Sequence, residues 1–400
     1  MNSDISYFGR TNGRPPQRSF GIKQADRLSH VYVIGRTGTG KTNLLEILAL
    51  QDIWSGRGVC VVDPHGDLVK RLAERTPEHR RADLHYMDPA DPANRYTYNP
   101  LRKVSRARIP LAASGLLEAF KKLWRHEWGV RMEHVFRNAL FALLETGDAA
   151  LPDVLRMLTD KAFRADVVGR LENEQVRAFW EKEFAHYPPP FRQTVIAPVQ
   201  NKIGAFLADP RLRRVFDGGG EEIRIRRVMD KRQILLVNLA KGVLGEDSAN
   251  LLGAILVTAI GLAALSRSEL PEASRSPFFT YIDEFQSVTT LSVANMVSEI
   301  RKFGVGLTLA NQHLEQLDPD VRSAVLGNLG TLVSFRVGAE DARMLSREFD
   351  PIFTATDLLN LPNHSVYVKL MIDGAPSRPF SATTLLPADV ELDRASRMDG

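Results

Sequence analysis

Cysteine is almost absent from this sequence, which has only Cys60 among its 400 residues. A single thiol excludes an internal disulfide, so the chain cannot be a small fold stabilised by cross-links. Cys60 lies in the apolar segment Gly58–Val62, where a buried, reduced thiol is the expected state. The nine histidines are scattered and form no zinc-ligand spacing with it, so no metal centre of that kind is predicted.

Long hydrophobic runs are missing as well. The most apolar stretch, residues 251–265, has no charge over 15 residues, whereas a membrane-spanning helix needs about 20 apolar residues. We therefore expect a buried helix there and no transmembrane segment in this chain. The first residues are polar and basic, unlike a signal peptide. A cytoplasmic location is expected, either free or at the membrane through a partner protein.

The excess of positive charge is small. The 52 basic side chains face 48 acidic ones, which gives a formal net charge of +4 and a pI near 9.1. This balance permits a nucleic-acid partner but does not require one. The length of 400 residues allows two domains, or one domain with a large insertion.

Short β-type segments alternate with helical patterns through most of the chain. Several are apolar throughout, as strands buried in a parallel sheet are. The alternation predicts an α/β core with a mainly parallel sheet flanked by helices. The predicted strands are Val31–Ile34, Gly58–Asp63, Ile234–Leu239, Phe278–Asp283, Val305–Gln312, Thr331–Val337 and Val366–Leu370.

One long segment departs from this alternation. Residues 102–216 contain no convincing strand, and apolar residues at helical spacing, such as Val135, Ala139 and Leu143, indicate helix faces. This segment is predicted to be an all-helical insertion domain. The predicted organisation is a flexible arm at 1–19, the α/β core at 20–101 and 217–389, the insertion at 102–216 and a flexible C-terminus at 390–400.

The segment from Gly35 to Thr42 has the complete G-x-x-x-x-G-K-[ST] pattern of a phosphate-binding loop. An apolar strand precedes it and a helical pattern follows, which is the required context. Glycines let backbone N–H groups close around phosphates, and the helix N-terminus favours their negative charge. Lys41 is predicted to contact the β- and γ-phosphates, and the Thr42 hydroxyl to bind Mg²⁺. The predicted nucleotide-binding residues are Gly35, Arg36, Thr37, Gly38, Thr39, Gly40, Lys41 and Thr42.

Two adjacent carboxylates complete the pattern of an ATP-hydrolysing site. The hydrophobic segment Phe278–Ile282 is followed directly by Asp283 and Glu284. Asp283 is predicted to bind Mg²⁺, directly or through water, and Glu284 to act as the general base for the attacking water. An acidic strand end alone is weak support, but together with the complete phosphate loop it predicts a Mg²⁺-dependent P-loop ATPase.

Three further polar residues are candidates, and the first two have an alternative interpretation. Gln312 ends a predicted strand and can contact the γ-phosphate or the water, or it is a solvated strand end. Arg301 lies in the preceding helix and can stabilise transition-state charge across a subunit boundary, or it is an exposed helix arginine. Arg336 lies inside the predicted strand Thr331–Val337, where a charge needs a partner.

These motifs resemble those of the FtsK–HerA superfamily of hexameric DNA pumps. Within it, the sequence looks most like the cytosolic part of type IV secretion coupling proteins, the conjugative DNA-transfer ATPases. The resemblance extends from about residue 20 to about residue 387 and includes the helical insertion. It is carried by residues 35–42, 62–68 and 281–286, and by Arg301 followed eleven residues later by Gln312.

The resemblance implies a RecA-like motor core, a ring of six identical subunits and ATP sites between neighbours. It also implies that Arg301 is an arginine finger acting in trans and that Gln312 senses the γ-phosphate. The predicted catalytic residues are then Lys41, Glu284, Arg301 and Gln312. Coupling proteins usually have N-terminal transmembrane helices, which this sequence does not show. A HerA-like translocase that works with a nuclease is therefore an alternative to a secretion-system partner.

DNA is the expected partner, although no sequence motif specifies it. Residues 102–133 contain eight basic and three acidic side chains, and residues 211–232 contain eight and four. A basic face formed by these residues could bind along the DNA phosphates without contacting specific bases. Alternatively, these residues form a solvated helical surface. An ATPase that moves or assembles protein, and a nucleotide-controlled scaffold, are the competing functions. The Asp283-Glu284 pair argues against the scaffold, and the resemblance favours DNA over protein.

Overall fold

The structure of the protein is a computed structural model that describes residues 4–12, 17–124 and 128–398. Some residues of the predicted arm (1–3 and 13–16), of the predicted insertion (125–127) and of the C-terminus (399–400) lie outside the described residues.

The described residues form fifteen β-strands. They are β1 (Ile5–Thr11), β2 (Ser19–Lys23), β3 (Val31–Ile34), β4 (Gly58–Asp63), β5 (Leu84–Met87), β6 (Tyr96–Thr97), β7 (Glu221–Glu222), β8 (Ile234–Asn238), β9 (Phe278–Ile282), β10 (Val305–Asn311), β11 (Thr331–Ser334), β12 (Ser365–Lys369), β13 (Met371–Ile372), β14 (Ala375–Pro376) and β15 (Phe380–Thr384).

Eleven of these strands form one sheet in the order β2-β1-β15-β12-β11-β3-β10-β9-β4-β8-β5. The neighbours from β11 to β8 are all parallel. Every residue of β3, β4, β9 and β10 is buried, as expected for parallel strands with helices on both faces. The predicted α/β core with a mainly parallel sheet is confirmed. Because these strands run the same way, their carboxyl ends meet at one edge.

The antiparallel side of the sheet differs from the prediction. β1 pairs with both β2 and β15 in antiparallel fashion, so residues 5–11 form an inner strand and the expectation of a flexible arm is wrong for them. Phe8 is 2% exposed, and its ring contacts the Phe20 ring edge to face at 5.0 Å between centroids. Burial of the Phe8 side chain orders residues 5–11, although they also include a glycine and an arginine.

β11 is shorter than predicted, because it ends at Ser334. The backbone beyond it turns toward the phosphate loop: Phe335 N–H donates to Ile34 O at 2.8 Å, and Arg36 N–H donates to Arg336 O at 2.9 Å. Arg336 therefore lies after the strand and not inside it. Its guanidinium is partly exposed and donates to Asn363 Oδ1 at 2.9 Å.

The described residues also form nineteen α-helices. They are α1 (Gln24–Arg27), α2 (Lys41–Trp54), α3 (Asp67–Glu74), α4 (Ile109–Leu123), α5 (Val130–Thr146), α6 (Asp153–Thr159), α7 (Lys161–Gly169), α8 (Glu174–Ala178), α9 (Pro189–Ala208), α10 (Pro210–Phe216), α11 (Ile225–Asp230), α12 (Lys241–Leu244), α13 (Glu246–Ser266), α14 (Phe285–Val288), α15 (Leu291–Ile300), α16 (Pro319–Leu326), α17 (Ala339–Phe349), α18 (Ala355–Leu359) and α19 (Pro387–Met398).

The chain divides into two compact units. The first, which contains most of the large sheet, has residues 1–86, 225–239 and 263–400, and the second has residues 87–224 and 240–262. Between 102 and 216 every regular element that the structure describes is helical. The second unit is wider than the predicted insertion, because β6 pairs with β7 and brings the flanking segments into it. Its interior contains aromatic rings in edge-to-face contact, among them Phe120, Phe136 and Phe206.

The apolar stretch at 251–265 lies in α13. Among the described residues, one helical segment, 246–269, is long and apolar enough to span a membrane, but 78% of its apolar window is buried inside the structure. Such burial is typical of a core helix. At the other end of the chain, residues 390–398 belong to α19, so the expectation of a flexible C-terminus is wrong for them. Val390 is only 8% exposed and packs against the core of the first unit.

Candidate nucleotide site

The phosphate loop connects β3 to α2 at the carboxyl edge of the sheet. β3 ends at Ile34 and α2 begins at Lys41. Between them, Gly38 and Gly40 have φ angles of 77° and 121°, which favour glycine over other residues. The first turn of α2 has backbone N–H groups without helical partners, so an anion can bind there.

Lys41 lies inside the loop and is only 7% exposed. Its Nζ donates to the backbone oxygens of Gly35 at 2.7 Å and Arg36 at 3.2 Å. Burial lowers the pKa of Lys41, while the carboxylates of Asp283 and Glu284 raise it. The ammonium group is thus held by neutral carbonyl groups that a charged phosphate can replace.

Asp283 and Thr42 face each other across the loop. The Thr42 hydroxyl donates to Asp283 Oδ2 at 3.2 Å, and Asp283 is 6% exposed. Burial, followed by the negative charges of Asp63 and Glu284, raises the pKa of Asp283 to about 6. This concentration of negative charge and oxygen atoms suits a hard divalent cation such as Mg²⁺, so the residues present fit the metal predicted from the sequence.

Glu284 has a left-handed backbone with φ of 51°. Its N–H donates to Asp283 Oδ1 at 3.0 Å. Each of its carboxylate oxygens accepts a hydrogen bond from an amide: Gln286 Nε2 donates to Oε2 at 2.5 Å, and Gln312 Nε2 donates to Oε1. The carboxylate is therefore fixed in position beside the phosphate loop.

Gln312 follows β10 directly and contacts two parts of the site. Its amide nitrogen donates to Glu284, and its Oε1 accepts a hydrogen bond from the Thr37 hydroxyl at 2.9 Å. Thr37 lies in the phosphate loop, so a chain of hydrogen bonds links the loop to the Glu284 carboxylate. The alternative of an unattached, solvated strand end does not describe Gln312.

Arg301 lies away from these groups. It is exposed, in a short turn after α15 and four residues before β10 begins. β10 runs parallel to β3, so Arg301 lies at the edge of the sheet formed by the amino ends of the strands, here called the amino edge. The phosphate loop lies at the opposite, carboxyl edge. The seven residues of β10, at about 3.3 Å each, separate Arg301 from that loop. Burial is the main cause that lowers the pKa of His30, which precedes β3, and the charge of Arg301 lowers it further. The structure therefore separates Arg301 from the phosphate loop of its own chain.

The sequence analysis gave no role to Asp63, which the structure places beside the site. Asp63 ends β4, is 2% exposed and accepts backbone N–H bonds from His65, Leu68 and Val69 at 2.9, 2.8 and 3.2 Å. It therefore holds the turn that begins α3, and its charge acts on Asp283. The sequence feature that could have indicated this role is an aspartate at the end of an apolar strand.

Gln286 and His364 were also missed. Gln286 contacts Glu284 as described, and His364 N–H donates to Thr39 O at 2.9 Å in the phosphate loop. His364 belongs to no recognisable motif, and Gln286 lies in the segment 281–286 that carries the resemblance but was given no role there. Among the residues that the structure describes, no group of three or more His, Cys, Asp or Glu side chains forms a separate metal site.

Comparisons with known proteins found one matching family model and several similar solved structures. A family model for the type IV secretion-system coupling protein DNA-binding domain matches residues 20–348. The unbound bacterial conjugative coupling protein TrwBdeltaN70 has a TM-score of 0.66 at 17% identity, over 91% of this chain and 87% of that chain. TrwB in complex with ADP and Mg²⁺ has a TM-score of 0.64 at 17% identity, over 92% and 87%.

VirB4 of Thermoanaerobacter pseudethanolicus has a TM-score of 0.66 at 12% identity, over 98% of this chain and 99% of that chain. No curated protein matches the sequence. At these identities the structural likenesses concern the fold, and they confirm the expected RecA-like α/β core.

Proposed function

Because the chain belongs to the family of type IV secretion-system coupling protein DNA-binding domains, we propose that it hydrolyses ATP with Mg²⁺ and uses the energy to move DNA. One observation carries the proposal: Lys41, Thr42, Asp283, Glu284 and Gln312, which come from three separate segments, meet at one edge of the sheet. Each residue type matches a task of phosphoryl transfer.

The phosphate loop binds the nucleotide. The free N–H groups of the loop and of the first turn of α2 donate hydrogen bonds to oxygens of the β-phosphate region, and Lys41 exchanges its carbonyl partners for phosphate oxygens. The Thr42 hydroxyl and the Asp283 carboxylate would hold Mg²⁺, which neutralises phosphate charge when bound. The binding energy comes from charge-assisted hydrogen bonds in a partly buried site.

Glu284 and Gln312 prepare the attack of water on the γ-phosphate. Glu284 accepts a proton from the water, and its carboxylate already lies in place through its amide contacts. Gln312 contacts both Glu284 and the phosphate loop, so it is the residue that can detect a bound γ-phosphate through a hydrogen bond. When it turns to that phosphate, it releases Glu284 Oε1 for the water.

Arg301 serves the site of a neighbouring subunit. Its position at the opposite edge of the sheet excludes a direct role at its own phosphate loop, so its contribution requires an assembly in which that edge faces the loop of the next copy. A homo-hexameric ring, as the resemblance implies, meets this requirement. There the guanidinium would stabilise charge that develops in the transition state.

DNA would bind through phosphate contacts rather than base contacts. In the second unit, Lys103, Arg108, Arg213 and Arg224 are basic residues at the protein surface, all but Arg108 exposed. Such side chains give affinity that depends on salt and not on sequence. This is the chemistry that a motor needs to travel along DNA.

The ATPase rate with and without DNA tests this function. We expect turnover that rises with double-stranded or single-stranded DNA and falls as salt is raised. Lys41→Ala, which removes the phosphate-binding ammonium group, should abolish turnover under all conditions. Turnover in Lys41→Ala equal to that of the wild type would exclude the phosphate loop as the active site.

A rate that ignores DNA would favour the alternative, an ATPase that drives protein export or assembly. A DNA-dependent rate that requires a nuclease would instead favour a HerA-like translocase.

A further inference from the structure

His364 is one of the residues outside the phosphate loop that hold the loop in place. It lies 324 residues after Gly40 (364 − 40) and precedes β12. Its N–H donates to Thr39 O at 2.9 Å, and its own carbonyl accepts the N–H of Thr384 at 2.8 Å. The residue thus links the loop to β15.

The backbone of His364 is held in an unusual conformation. Its φ is 64°, in the left-handed region where a residue with a side chain costs about 1–2 kcal/mol. Such a conformation persists only when the surroundings impose it. Here the two backbone hydrogen bonds, one to the loop and one from β15, impose it.

The imidazole ring packs directly on the loop. A methyl group built on Gly40 would lie 3.0 Å from His364 Nδ1 and 3.1 Å from the Phe335 ring. His364 Nδ1 is buried and makes no hydrogen bond within the part of the chain that the structure describes. The ring therefore restricts Gly40 by steric contact and not through a hydrogen bond.

The hydrogen bond to Thr39 determines where the next N–H group points. In a trans peptide, the C=O of one residue and the N–H of the following residue point in opposite directions. Because Thr39 C=O points to His364, Gly40 N–H points away from it. No partner for Gly40 N–H is found among the described residues, so it stays available to an anion.

We propose that His364 is a positioning residue: its backbone N–H orients the Thr39–Gly40 peptide and its ring holds that peptide in place, so that Gly40 N–H is directed at the phosphate chain of the nucleotide. This inference rests on nucleotide binding at the phosphate loop, as proposed above. His364 acts on the polyphosphate part of the ligand and not on the base or ribose. It prepares the loop before binding, so less ordering is needed when the nucleotide arrives.

The test compares ligands that share a phosphate chain but differ in the nucleoside. The full chain is titrated calorimetrically with Mg²⁺–ADP and with Mg²⁺–tripolyphosphate. His364→Gly removes the ring and keeps the left-handed conformation accessible. We expect both dissociation constants to rise by a similar factor, about 5–10-fold, as 1.0–1.4 kcal/mol of lost preorganisation would give.

Steady-state kinetics provide the second readout. A residue that improves phosphate binding equally in ground and transition states changes KM and leaves kcat nearly constant. His364→Gly should therefore raise KM for ATP with kcat within about twofold of the wild type. Asp373→Gly, at another left-handed residue in an exposed turn, is the matched control and should change neither constant.

Three results would overturn the proposal. Unchanged dissociation constants in His364→Gly would show that the ring does not act on the loop. Weaker ADP binding with unchanged tripolyphosphate binding would assign the ring to the nucleoside. A loss of kcat without a loss of affinity would assign it to the chemical step. A wild-type protein that binds both ligands but does not hydrolyse ATP would instead refute the proposed turnover and leave this binding test intact.

Discussion

At the residue scale, Glu284 combines a strained backbone with a fixed side chain. Its φ of 51° costs a residue other than glycine about 1–3 kcal/mol. The strain is balanced by hydrogen bonds from its own N–H to Asp283 and from two amide side chains to its carboxylate. The result is a carboxylate that is oriented before any nucleotide binds, as expected of a group that must meet a water molecule in one geometry.

Replacing this carboxylate separates binding from chemistry. Glu284→Gln keeps the length of the side chain but removes the proton acceptor, so turnover should fall by about 10²–10⁴-fold. ATP and Mg²⁺ binding should remain, because neither Lys41 nor Asp283 is changed. Single-turnover hydrolysis and nucleotide titration measure the two effects. Glu272→Gln, at an exposed carboxylate before β9, is the control, and wild-type turnover in Glu284→Gln would mean that the base lies elsewhere.

His30 predicts a defined dependence of stability on pH. Its Nδ1 accepts Leu307 N–H at 3.1 Å and its Nε2–H donates to Val297 O at 2.8 Å, so the buried ring is neutral. Burial lowers the pKa of His30 to about 4, whereas an unfolded histidine has a pKa of about 6.5. Between these values the unfolded state binds more protons, so the unfolding free energy decreases as the pH falls from 6.5 to 4, by up to about 3 kcal/mol.

Urea unfolding at pH 7, 6 and 5 measures this effect. His30→Asn tolerates the φ of 66° at this position and has no titrating group. Its unfolding free energy should therefore change less between pH 7 and pH 5 than that of the wild type. Equal slopes for the two proteins would show that His30 is not the titrating residue.

Much of the site at this scale is predictable from the sequence, because Lys41, Thr42, Asp283 and Glu284 belong to short motifs with a fixed chemical purpose. His364 and Gln286 are not predictable in this way. His364 reaches the loop only because of the order of the strands, and the contact of Gln286 depends on the left-handed conformation of Glu284. Neither feature is encoded in a local pattern of residue types.

At the element scale, the turn between β4 and α3 is built on one close contact. Gly66 has φ of 91°, and a methyl group built on it would lie 2.5 Å from the Asn238 side chain. Asn238 ends the neighbouring strand β8. The turn can therefore approach β8 only without a side chain at position 66, and Asp63 then caps α3 with the hydrogen bonds described above.

The substitution Gly66→Ala tests this packing. It combines a left-handed conformation with a clash, so the unfolding free energy should fall by about 2–4 kcal/mol. Gly218→Ala is the matched control, because Gly218 has φ of 79° with no atom within 4 Å of the added methyl group. It should lose only about 1–2 kcal/mol. Denaturant unfolding of both variants decides the matter, and equal losses would refute the contact with Asn238.

Sequence patterns predict the central strands better than the outer ones. β3 and β4 are apolar on both faces and are recognisable without a structure. β1, β2 and β15 are only partly buried and contain arginine, serine or glycine, so their composition is that of a loop. The pairing of β1 with β15, moreover, joins residues more than 350 positions apart in the chain, such as Gly9 and Thr384.

At the scale of the whole molecule, the two edges of the sheet carry different parts of the proposed mechanism. The phosphate loop, Asp283 and Glu284 lie at the carboxyl edge, and Arg301 lies at the amino edge. Mixing two inactive variants tests whether these parts meet between subunits. Arg301→Ala should lower turnover by about 10³-fold with little change in nucleotide affinity, and Lys41→Ala should be inactive.

Mixtures of the two variants should regain part of the activity, because some interfaces then join an intact loop to an intact arginine. Light scattering with a non-hydrolysable ATP analogue establishes that mixed assemblies form. If they form and remain inactive, or if Arg301→Ala alone is fully active, Arg301 is not the finger and Arg336 becomes the next candidate.

The proposed action of Arg301 on the phosphate loop of a neighbouring subunit also restricts the symmetry of any active assembly. A two-fold dimer joins identical patches, whereas a contact between an amino edge and a carboxyl edge joins two different ones. Such a head-to-tail contact has a direction, and repeated copies either close into a cyclic ring or grow into an open filament. In a closed ring, every subunit then has one neighbour that it activates and another that activates it. The subunit contact therefore sets one direction of activation around the ring before any substrate enters.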